Sequence, residues 1–530
     1  MMRTWVLPLG LLLTVALALP GPSTAATLTV TNFGDSGAPG QLRTLIGGAA
    51  AGDTIVIPPG TVTLAGPADA SGGGLAIGKS LTIQGAGTGL SIIDGGGVER
   101  GVLIYGSGTS VAVSNVTIRN GVDRTEFGGA GIFIDGGTTV ALTNVTISGN
   151  RALGTGTGGG LLVNIGSTVT LSNVTLSGNT SATYNGGLAN YGIARVTDVT
   201  VNGNSAANGA GIGNNPGGTA TLTNVTVSEN TAGQFGGGLE NFGTATLTNV
   251  TISANAATID GGGIENAEGG VLTLVNVTVS ANTGSGISNL GSLSLKNVLL
   301  SGNAAPTGDD ANCHFSDKSG QVTSLGHNLD SGTTCGFTGP GDLSGVNPVL
   351  GPLQNNGGLT RTHALLPGSP AINAGTNSGC PPTDQRGIAR PQGSTCDIGA
   401  FEFGVIVAAV ALNGSAFHTG QPITYQGTLN PGFNPTQVDI YLGVLLPNGA
   451  TFASFVSSQS GVNIVIGSAP VPFSRNVTLA PLAVPFAYTF TGGEPAGTYV
   501  AYAGLAVAGS NPFTPANQLS LGIQPFQFTP

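Results

Sequence analysis

The chain has 530 residues, of which 92 are glycine and 7% are charged, while 40% are hydrophobic. So many apolar residues exclude a disordered chain, and the glycines predict many tight turns. The net charge of −10 and the lack of any Lys/Arg run exclude nucleic acid and anionic membrane surfaces as partners, because nothing in the sequence would neutralise phosphate.

Residues 1–26 have the pattern of a secretory signal peptide. Arg3 precedes an apolar run from Trp5 to Leu19, and small residues follow up to Ala26. The run is too short for a transmembrane helix, and no second apolar helix follows it. We therefore expect an exported bacterial protein, secreted or at the cell surface, with no membrane span.

Residues 27–79 are predicted to form a cap and the first coils. An amphipathic pattern from Gly40 to Ile46 is followed by a strand-like run from Thr54 to Ile57. This segment resembles the start of many secreted β-helix proteins, in which a short helix covers the open end of the coils. A cap is needed because an uncapped solenoid exposes apolar core and unpaired strand edges.

Residues 80–303 contain a repeated motif, which occurs eight times between Asn115 and Asn303. A Gly-rich stretch and a short Thr/Leu alternation lead into Asn-Val-Thr-aliphatic-x-x-Asn, and successive copies start 21 to 29 residues apart. Repetition on this scale predicts a solenoid, and the absence of helical periodicity makes each repeat one coil of β-strands. We expect about ten coils, each with roughly three short strands.

The first asparagine of the motif is predicted to turn a corner. Val250 and Ile252 alternate on one face while Leu247 is out of phase, so the chain bends at Asn249. Asparagine tolerates the left-handed conformation that a corner needs, and stacked Asn side chains bond one another. The corner ladder is Asn115, Asn144, Asn173, Asn224, Asn249, Asn276 and Asn297, with Asp198 replacing one member. A second ladder is predicted through Asn150, Asn179, Asn204, Asn230, Asn255, Asn282 and Asn303.

The repeat resembles the right-handed parallel β-helix, the fold of pectate lyases and of many bacterial surface proteins. The handedness comes from this resemblance and not from the period. Left-handed hexapeptide helices and calcium-binding nonapeptide rolls are excluded, because neither repeat pattern is present. The predicted fold class is all-β, a parallel β-helix of the pectin-lyase type followed by a β-sandwich.

One acidic constellation occurs on the repeats. Glu240 and Glu265 hold the same position in successive coils, which predicts side chains about 5 Å apart on one solvent face, and Asp260 lies near them. Carboxylates at this spacing suit calcium binding or glycosidic cleavage. The alternative interpretation is a solvated face that tolerates like charges. The typical motifs of pectate lyases and polygalacturonases are missing.

Two parallel columns of hydroxyl groups are predicted on another outward face, because alternate residues of a strand share a face. Such columns suit polysaccharide binding, and flat Thr arrays also bind ice. The alternative is that these are ordinary solvent-side strand residues. The columns are Thr146, Ser148, Thr175, Ser177, Thr226, Ser228, Thr251, Ser253, Thr278 and Ser280.

The repeat ends at Asn303, and the sequence that follows does not contain the motif. Five strings resemble, in the same order, the choice-of-anchor Q domain found after β-helix coils in secreted bacterial proteins. The resemblance implies that residues 304–403 complete the solenoid near a cell surface, and it implies no general activity. The strings are Thr323 to Leu329, Gly351 to Gly358, Thr362 to Gly375, Thr383 to Gly387 and Cys396 to Glu402.

The four cysteines fit an oxidising compartment. Their spacing favours local bridges between Cys313 and Cys335 and between Cys380 and Cys396, while two other pairings and a four-cysteine metal site remain as alternatives. No CxxC pair supports a metal, so none is predicted. The four histidines, including His314, lack metal-binding spacing, and we interpret them as structural hydrogen-bonding groups.

Residues 404–530 are predicted to form a separate β-sandwich. Short β-prone runs such as Pro422 to Leu429 and Gly497 to Ala506 alternate with Pro, Gly and Asn turns. About seven such runs favour an immunoglobulin-like sandwich. Modules of this kind on secreted proteins serve as spacers or as carbohydrate- or partner-binding units, by analogy of fold.

The whole sequence predicts a non-catalytic, adhesin-like or structural protein without a cofactor. It would present an extended face to an extracellular polysaccharide or a cell-surface protein. The alternative is a polysaccharide lyase or glycoside hydrolase that uses Asp260, Glu240 and Glu265, with calcium as its cofactor. Ice binding through the hydroxyl columns is a third hypothesis.

Overall fold

The computed structural model describes residues 25–65, 74–305, 311–315, 320–404, 407–430, 437–458, 461–478, 482–507, 509 and 518–530. All but the last two residues of the predicted signal peptide lie outside these ranges. In the part of the chain that is described, no helix combines the length and the apolar character needed to cross a membrane.

The described residues between 25 and 77 form one short helix and four strands. Leu42 and Ile46 are the buried residues of the helix, which packs against β2 and β4 at the start of the coils. The helix therefore covers apolar side chains of the first coil. The elements are β1 (Thr27–Thr29), α1 (Leu42–Gly48), β2 (Thr54–Ile57), β3 (Gly60–Thr63) and β4 (Leu75–Ile77).

The coils that follow are made of short strands, and almost every strand pairs in parallel with its counterpart in the next coil. They are β5 (Leu81–Gly85), β6 (Ser91–Asp94), β7 (Val102–Ile104), β8 (Ser110–Arg119), β9 (Val122–Asp123), β10 (Ile132–Ile134), β11 (Thr139–Ser148), β12 (Arg151–Ala152), β13 (Leu161–Val163), β14 (Thr168–Ser172), β15 (Thr175–Ser177), β16 (Thr180–Ser181), β17 (Leu188–Asn190), β18 (Ile193–Thr197), β19 (Thr200–Asn202), β20 (Ser205–Ala206), β21 (Ile212–Asn214), β22 (Thr219–Thr223), β23 (Thr226–Ser228), β24 (Thr231–Ala232), β25 (Leu239–Asn241), β26 (Thr244–Thr248), β27 (Thr251–Ser253), β28 (Ala256–Ala257), β29 (Ile264–Asn266), β30 (Val271–Val275), β31 (Thr278–Ser280), β32 (Ile287–Asn289), β33 (Ser292–Lys296), β34 (Leu299–Ser301), β35 (Cys313–His314), β36 (Gln321–Ser324), β37 (Leu329–Asp330) and β38 (Leu343–Ser344).

Three stacked sheets run along the coils. Sheet 1 contains β4, β7, β10, β13, β17, β21, β25, β29, β32 and β35. Sheet 2 is a 22-stranded sheet that bends at each corner asparagine, and sheet 3 contains β9, β12, β16, β20, β24 and β28. The prediction of a parallel all-β solenoid is confirmed, but the coils that carry sheet 3 have a fourth strand of two residues. So short a strand gives no periodicity by which the sequence could reveal it.

The core follows the phases of the repeat. Leu247 before the corner and Val250 and Ile252 after it are all fully buried. Asn249 lies between them in the left-handed region with φ 52°, and the other corner asparagines and Asp198 have φ between 51° and 58°. Side chains on both sides of each corner therefore face one continuous apolar interior.

Asparagines form hydrogen-bonded ladders between coils. The outer corner ladder includes the bond from Asn144 Nδ2 to Asn115 Oδ1 at 3.1 Å. The second predicted ladder is buried, and each Nδ2 from Asn150 onward donates to the Oδ1 of the next coil, as from Asn230 to Asn255 at 2.8 Å. The sequence interpretation missed a third ladder, also buried, through Asn190, Asn214, Asn241, Asn266 and Asn289.

Both predicted disulfide bridges are confirmed. Cys313 is bonded to Cys335, and Cys380 is bonded to Cys396. Since these bridges use all four cysteines, the alternative pairings and the four-cysteine metal site are excluded. Each bridge closes a local loop near the end of the coil stack.

The remaining strands are antiparallel apart from one pair. A two-stranded sheet joins β39 (Leu350–Gln354) to β40 (Thr362–Leu365). The C-terminal strands are β41 (Val407–Leu412), β42 (Ala416–His418), β43 (Pro422–Asn430), β44 (Gln437–Leu445), β45 (Phe452–Ser458), β46 (Gly461–Gly467), β47 (Ser474–Thr478), β48 (Leu482–Thr489), β49 (Gly497–Val507) and β50 (Gln518–Thr529).

The C-terminal strands form two small sheets. One is β41-β43-β48, and the other is β42-β50-β49-β44-β45-β46 with β47 beside β44. In the second sheet β42 runs parallel to β50. Side chains from both sheets, such as Ile423 and Phe455, belong to one buried apolar cluster. The immunoglobulin-like arrangement itself stays a prediction.

Candidate functional site

The middle residues of the sheet 1 strands form one row along the outside of the coils. In β25 and β29 the flanking Leu239 and Ile264 face the core, so the middle residues Glu240 and Glu265 face outward and are paired in register. The row is Ala76, Leu103, Phe133, Leu162, Ala189, Gly213, Glu240, Glu265, Ser288 and, at the end of β35, His314. It is apolar at one end and acidic, then imidazole-bearing, at the other.

The two glutamates are in register as predicted, but they are not on a solvent face. Each is only 5% exposed. The Gly-rich turn that precedes each strand folds over the carboxyl side chain: a Cβ on Gly261, which has φ 63°, would lie 2.7 Å from Glu265 Oε2. A Cβ on Gly236 would lie 2.6 Å from the Cβ of Glu240. The solvated-face interpretation is therefore wrong, because the turn removes water from both carboxyls.

Burial determines the charge state of this pair. It raises the pKa of Glu240 to about 8, with a smaller contribution to this rise from the charge of Glu265. Burial also raises the pKa of Glu265 to about 7, with a hydrogen bond from Ser288 acting in the opposite direction. Like charges at adjacent positions in low dielectric disfavour double ionisation. Near neutral pH the pair therefore holds at least one proton.

Two buried polar atoms beside the pair have no hydrogen-bond partner among the described residues. They are Glu265 Oε2 and Asn185 Nδ2. Asn185 occupies the turn position that is glycine in neighbouring coils, with φ 63°. Its amide fills the space above Gly213, where an added Cβ would lie 1.6 Å from Nδ2. An acceptor on the row, Glu265 Oε2, and a donor in the turn above it, Asn185 Nδ2, therefore have unused hydrogen-bonding capacity.

Asp260 and His314 form the exposed edge of the acidic cluster. Asp260 Oδ2 contacts His314 Nδ1, and Asp260 Oδ1 accepts a 2.5 Å hydrogen bond from Ser285. The His314 side chain is 55% exposed and that of Asp260 is 13% exposed. The structure thus places all three predicted acidic residues together and adds His314, which the sequence interpretation treated as merely structural.

A second line of residues runs beside this row. In each coil it contains the residue just before the turn position that has positive φ, such as Gly236 and Gly261. We call it the turn line, and backbone pairing between coils aligns its members, which are Gly128, Thr157, Tyr184, Asn208, Phe235 and Asp260. Tyr184 is 50% exposed, and Phe127, next to Gly128, is 47% exposed. Phe235 is partly exposed. Exposed or partly exposed aromatic side chains therefore recur on every second coil and lead to Asp260.

The hydroxyl columns are only partly open. Thr146, Ser148, Thr175 and Ser177 are half-buried, as expected for an outward face. The six members further along the coils are buried, and the prediction of an open face is corrected for them: Thr226, Ser228, Thr251, Ser253, Thr278 and Ser280. The hydroxyl array that could bind ice is therefore reduced to the four half-buried residues.

Residues 360–402, here called the cover segment, bury these hydroxyls. Thr251 Oγ1 donates to Gln385 Oε1 at 2.6 Å, and Ser253 Oγ lies 2.8 Å from His363 Nε2. Farther along, the Ala400 N–H donates to Thr278 Oγ1 at 2.9 Å. The same hydroxyls that suggested a ligand-binding face are thus satisfied by the chain itself.

Removing a covered hydroxyl is expected to cost more than removing an open one. Thr251→Val leaves the buried Gln385 Oε1 without its donor, which should lower the free energy of unfolding by about 1–3 kcal/mol. Thr175→Val, in the same column but uncovered, should change it by less than about 0.5 kcal/mol. Urea unfolding followed by circular dichroism measures both, and equal costs would show that the cover is not closed in solution.

Comparisons with known proteins agree with the coil geometry. Residues 72–305 match the family model described as the right handed beta helix region. With the parallel stacking above, this makes the repeat region a right-handed parallel β-helix, as the sequence predicted. No curated protein matches the chain.

Two solved structures are similar at low identity. The crystal structure of pectate lyase Pel9A is 16% identical, with a TM-score of 0.44 over 72% of this chain and 97% of that one. The crystal structure of Spo0M, a sporulation control protein from Bacillus subtilis, is 10% identical, with a TM-score of 0.15 over 24% of this chain and 50% of that one.

Proposed function

We propose that this β-helix protein binds an extended extracellular polysaccharide along the turn line, as a non-catalytic, adhesin-like or structural protein. The observation that carries the proposal is the recurrence of exposed or partly exposed aromatic side chains on alternate coils: Tyr184 and Phe235 on the turn line, and Phe127 next to its first member, Gly128. The predicted hydroxyl face is a weaker candidate, since the cover segment occupies most of it.

The spacing of the aromatic rings suits a polymer of sugar rings. Strands in neighbouring coils are about 4.8 Å apart, so residues two coils apart are separated by roughly 10 Å. A glycan chain of roughly that length contains two sugar units, and each ring can place an apolar face against an aromatic side chain. A linear polymer would gain affinity by engaging several rings at once.

Charge narrows the class of glycan. The turn line ends at Asp260, and Glu126 lies beside Phe127 at its other end, on a chain with a net charge of −10. A polyanionic chain would be repelled along this surface. Neutral or amino-bearing polysaccharides are therefore the expected ligands, and polyuronates are not.

The test is affinity electrophoresis and calorimetry of the purified chain against neutral, basic and acidic polysaccharides. Tyr184→Ala and Phe127→Ala should each weaken binding of the best ligand about tenfold, because a stacked ring is worth on the order of 1 kcal/mol or more. Tyr105→Ala is the matched control, since Tyr105 is 45% exposed but lies off the turn line. Unchanged affinity in both the Tyr184→Ala and the Phe127→Ala variant would contradict the proposal.

A second candidate is a lyase or hydrolase that acts at the end of the same line. Asp260 and His314 favour it, because an exposed imidazole oriented by a carboxylate can act as a general base. Glu240 and Glu265 are too buried to touch a polymer in this structure, so they would tune the charge around Asp260 and not attack the substrate.

Product analysis separates the two candidates. Incubation with the bound polysaccharide, with and without calcium, should yield no new reducing ends or unsaturated uronates if the protein only binds. Product that disappears in Asp260→Asn while binding persists would favour the enzyme.

The remaining parts of the proposal concern location and modules. We propose that the protein is secreted or surface-associated, that residues 304–403 are a choice-of-anchor Q region, and that residues 404–530 are an immunoglobulin-like sandwich. The two disulfides support an oxidising location.

A further inference from the structure

The C-terminal sheets line a half-open apolar cavity of about 320 Å³. One wall is formed by the three-stranded sheet, including Ile423 and Phe486. The opposite wall is formed by the larger sheet, including Phe455 and Phe526. Protein interiors are normally close-packed, and an empty apolar void destabilises a fold in proportion to its volume. A half-open, mostly apolar pocket of this size is instead typical of a small-molecule site.

The polar atoms around the cavity are engaged within the protein. Tyr425 Oη donates to the Tyr502 carbonyl at 2.6 Å, and Tyr499 Oη donates to the Pro495 carbonyl at 2.7 Å. Tyr488 Oη donates to Glu494. The tyrosines therefore present ring surface, and not free hydroxyls, to the cavity. A ligand would be held by apolar contact and shape.

The cavity has an accessible side. Ile464 and Ile466 line it on β46, yet they are 42% and 68% exposed. Large aliphatic side chains that both line a cavity and face solvent provide an entrance for an apolar molecule. Glu494 also lines the cavity. Slight burial opposes ionisation, but the hydrogen bonds that its carboxylate accepts from Tyr488 and Thr491 lower its pKa to about 2, so it carries a negative charge.

We propose that the cavity between the two C-terminal sheets binds a small, uncharged apolar molecule of about two aromatic rings in size. An apolar cavity of about 150 Å³ takes one benzene, and this one is about twice as large. The carboxylate of Glu494 disfavours anionic ligands such as fatty acids. The site is independent of the polysaccharide surface proposed for the coils.

The test uses two fluorescent probes on the full chain. 1-Naphthylamine is a neutral two-ring molecule, and 8-aminonaphthalene-1-sulfonate adds a negative charge to the same rings. We expect saturable 1:1 binding of the neutral probe and at least tenfold weaker binding of the anionic one, with Glu494→Gln narrowing the difference. Absence of saturable neutral-probe binding would overturn the proposal, and equal affinities would overturn its charge selectivity.

Ala453→Phe places a ring inside the cavity and should weaken neutral-probe binding at least tenfold. Val465→Phe is the matched control, because Val465 is exposed and lies on β46 between the lining residues Ile464 and Ile466, on the opposite face of the strand. If Ala453→Phe does not fold, as judged by circular dichroism, Ile466→Glu at the entrance is used instead. Equal binding by the cavity variant and the control would contradict the assigned site.

Discussion

Raising the pH from 5 to 8 is expected to lower the stability of the coils by several kcal/mol, largely through Glu240 and Glu265. Burial raises their pKa values to about 8 and about 7, against 4.5 for an ordinary glutamate. The folded state therefore binds more protons than the unfolded state in this window. By linkage the stabilisation is fully present below pH 4.5 and is lost as the pH rises through the folded pKa values. The stability contributed by each group falls by about 1.4 kcal/mol for every unit by which its folded pKa exceeds its unfolded pKa.

The measurement is a set of urea midpoints at pH 5, 6, 7 and 8 for the wild type and for Glu240→Gln/Glu265→Gln. The double variant should be less sensitive to pH and more stable than the wild type at pH 8, because it carries no charge into the buried row. Asp397, whose pKa burial raises to about 7, adds a slope of the same sign in both proteins. The difference between them is therefore the quantity to compare, and identical slopes would refute the burial of the pair.

The coils were predictable because their information is local and repeated. The positions of Leu247, Asn249, Val250 and Ile252 gave the corner, and the corner gave the register that pairs Glu240 with Glu265. Repetition also carries the signal of the third ladder: Asn190, Asn214 and Asn241 each end a sheet 1 strand, one residue after the position that Glu240 occupies in its coil. The third ladder could have been found from that phase alone.

Burial of the site was not predictable from the same pattern. Alternation in β25 and β29 predicts that the glutamates face outward, and outward-facing strand residues are normally exposed to solvent. The turn through Gly236 and Gly261 lies over them because glycine adopts positive φ there and has no Cβ to prevent close contact. The aromatic residues of the turn line lie in the same turns. In the sequence they can be recognised as the residues just before the turn positions that have positive φ.

The cover segment could not be placed from the sequence, because its contacts are distant along the chain. Gln385 bonds Thr251 across 134 residues, and His363 meets Ser253 across 110. No periodicity links them. The hydroxyl columns follow from strand alternation, but which of their members face water depends on where a non-repeating segment folds back.

Substituting one asparagine of the buried second ladder is expected to cost about 3–5 kcal/mol, a large share of the stability of a typical domain. Asn255 accepts hydrogen bonds from the backbone N–H and the Nδ2 of Asn230, and its own Nδ2 donates to the Val227 carbonyl at 3.0 Å. Asn255→Ala removes all three of these buried hydrogen bonds and leaves the Asn230 backbone N–H without its acceptor, although Asn230 Nδ2 keeps its bond to the Val201 carbonyl. An unsatisfied buried group costs about 1–3 kcal/mol, and each further lost bond adds to that cost. Urea unfolding measures the loss.

The matched control is Asn144→Gly in the outer corner ladder. Asn144 is exposed and has φ 52°, a conformation that glycine adopts without strain. Water replaces its lost side-chain bonds, so the substitution should cost less than about 1 kcal/mol. A cost for Asn255→Ala no greater than that of the control would mean that the inner ladder is hydrated. The stability of the stack would then reside in the apolar core and backbone pairing alone.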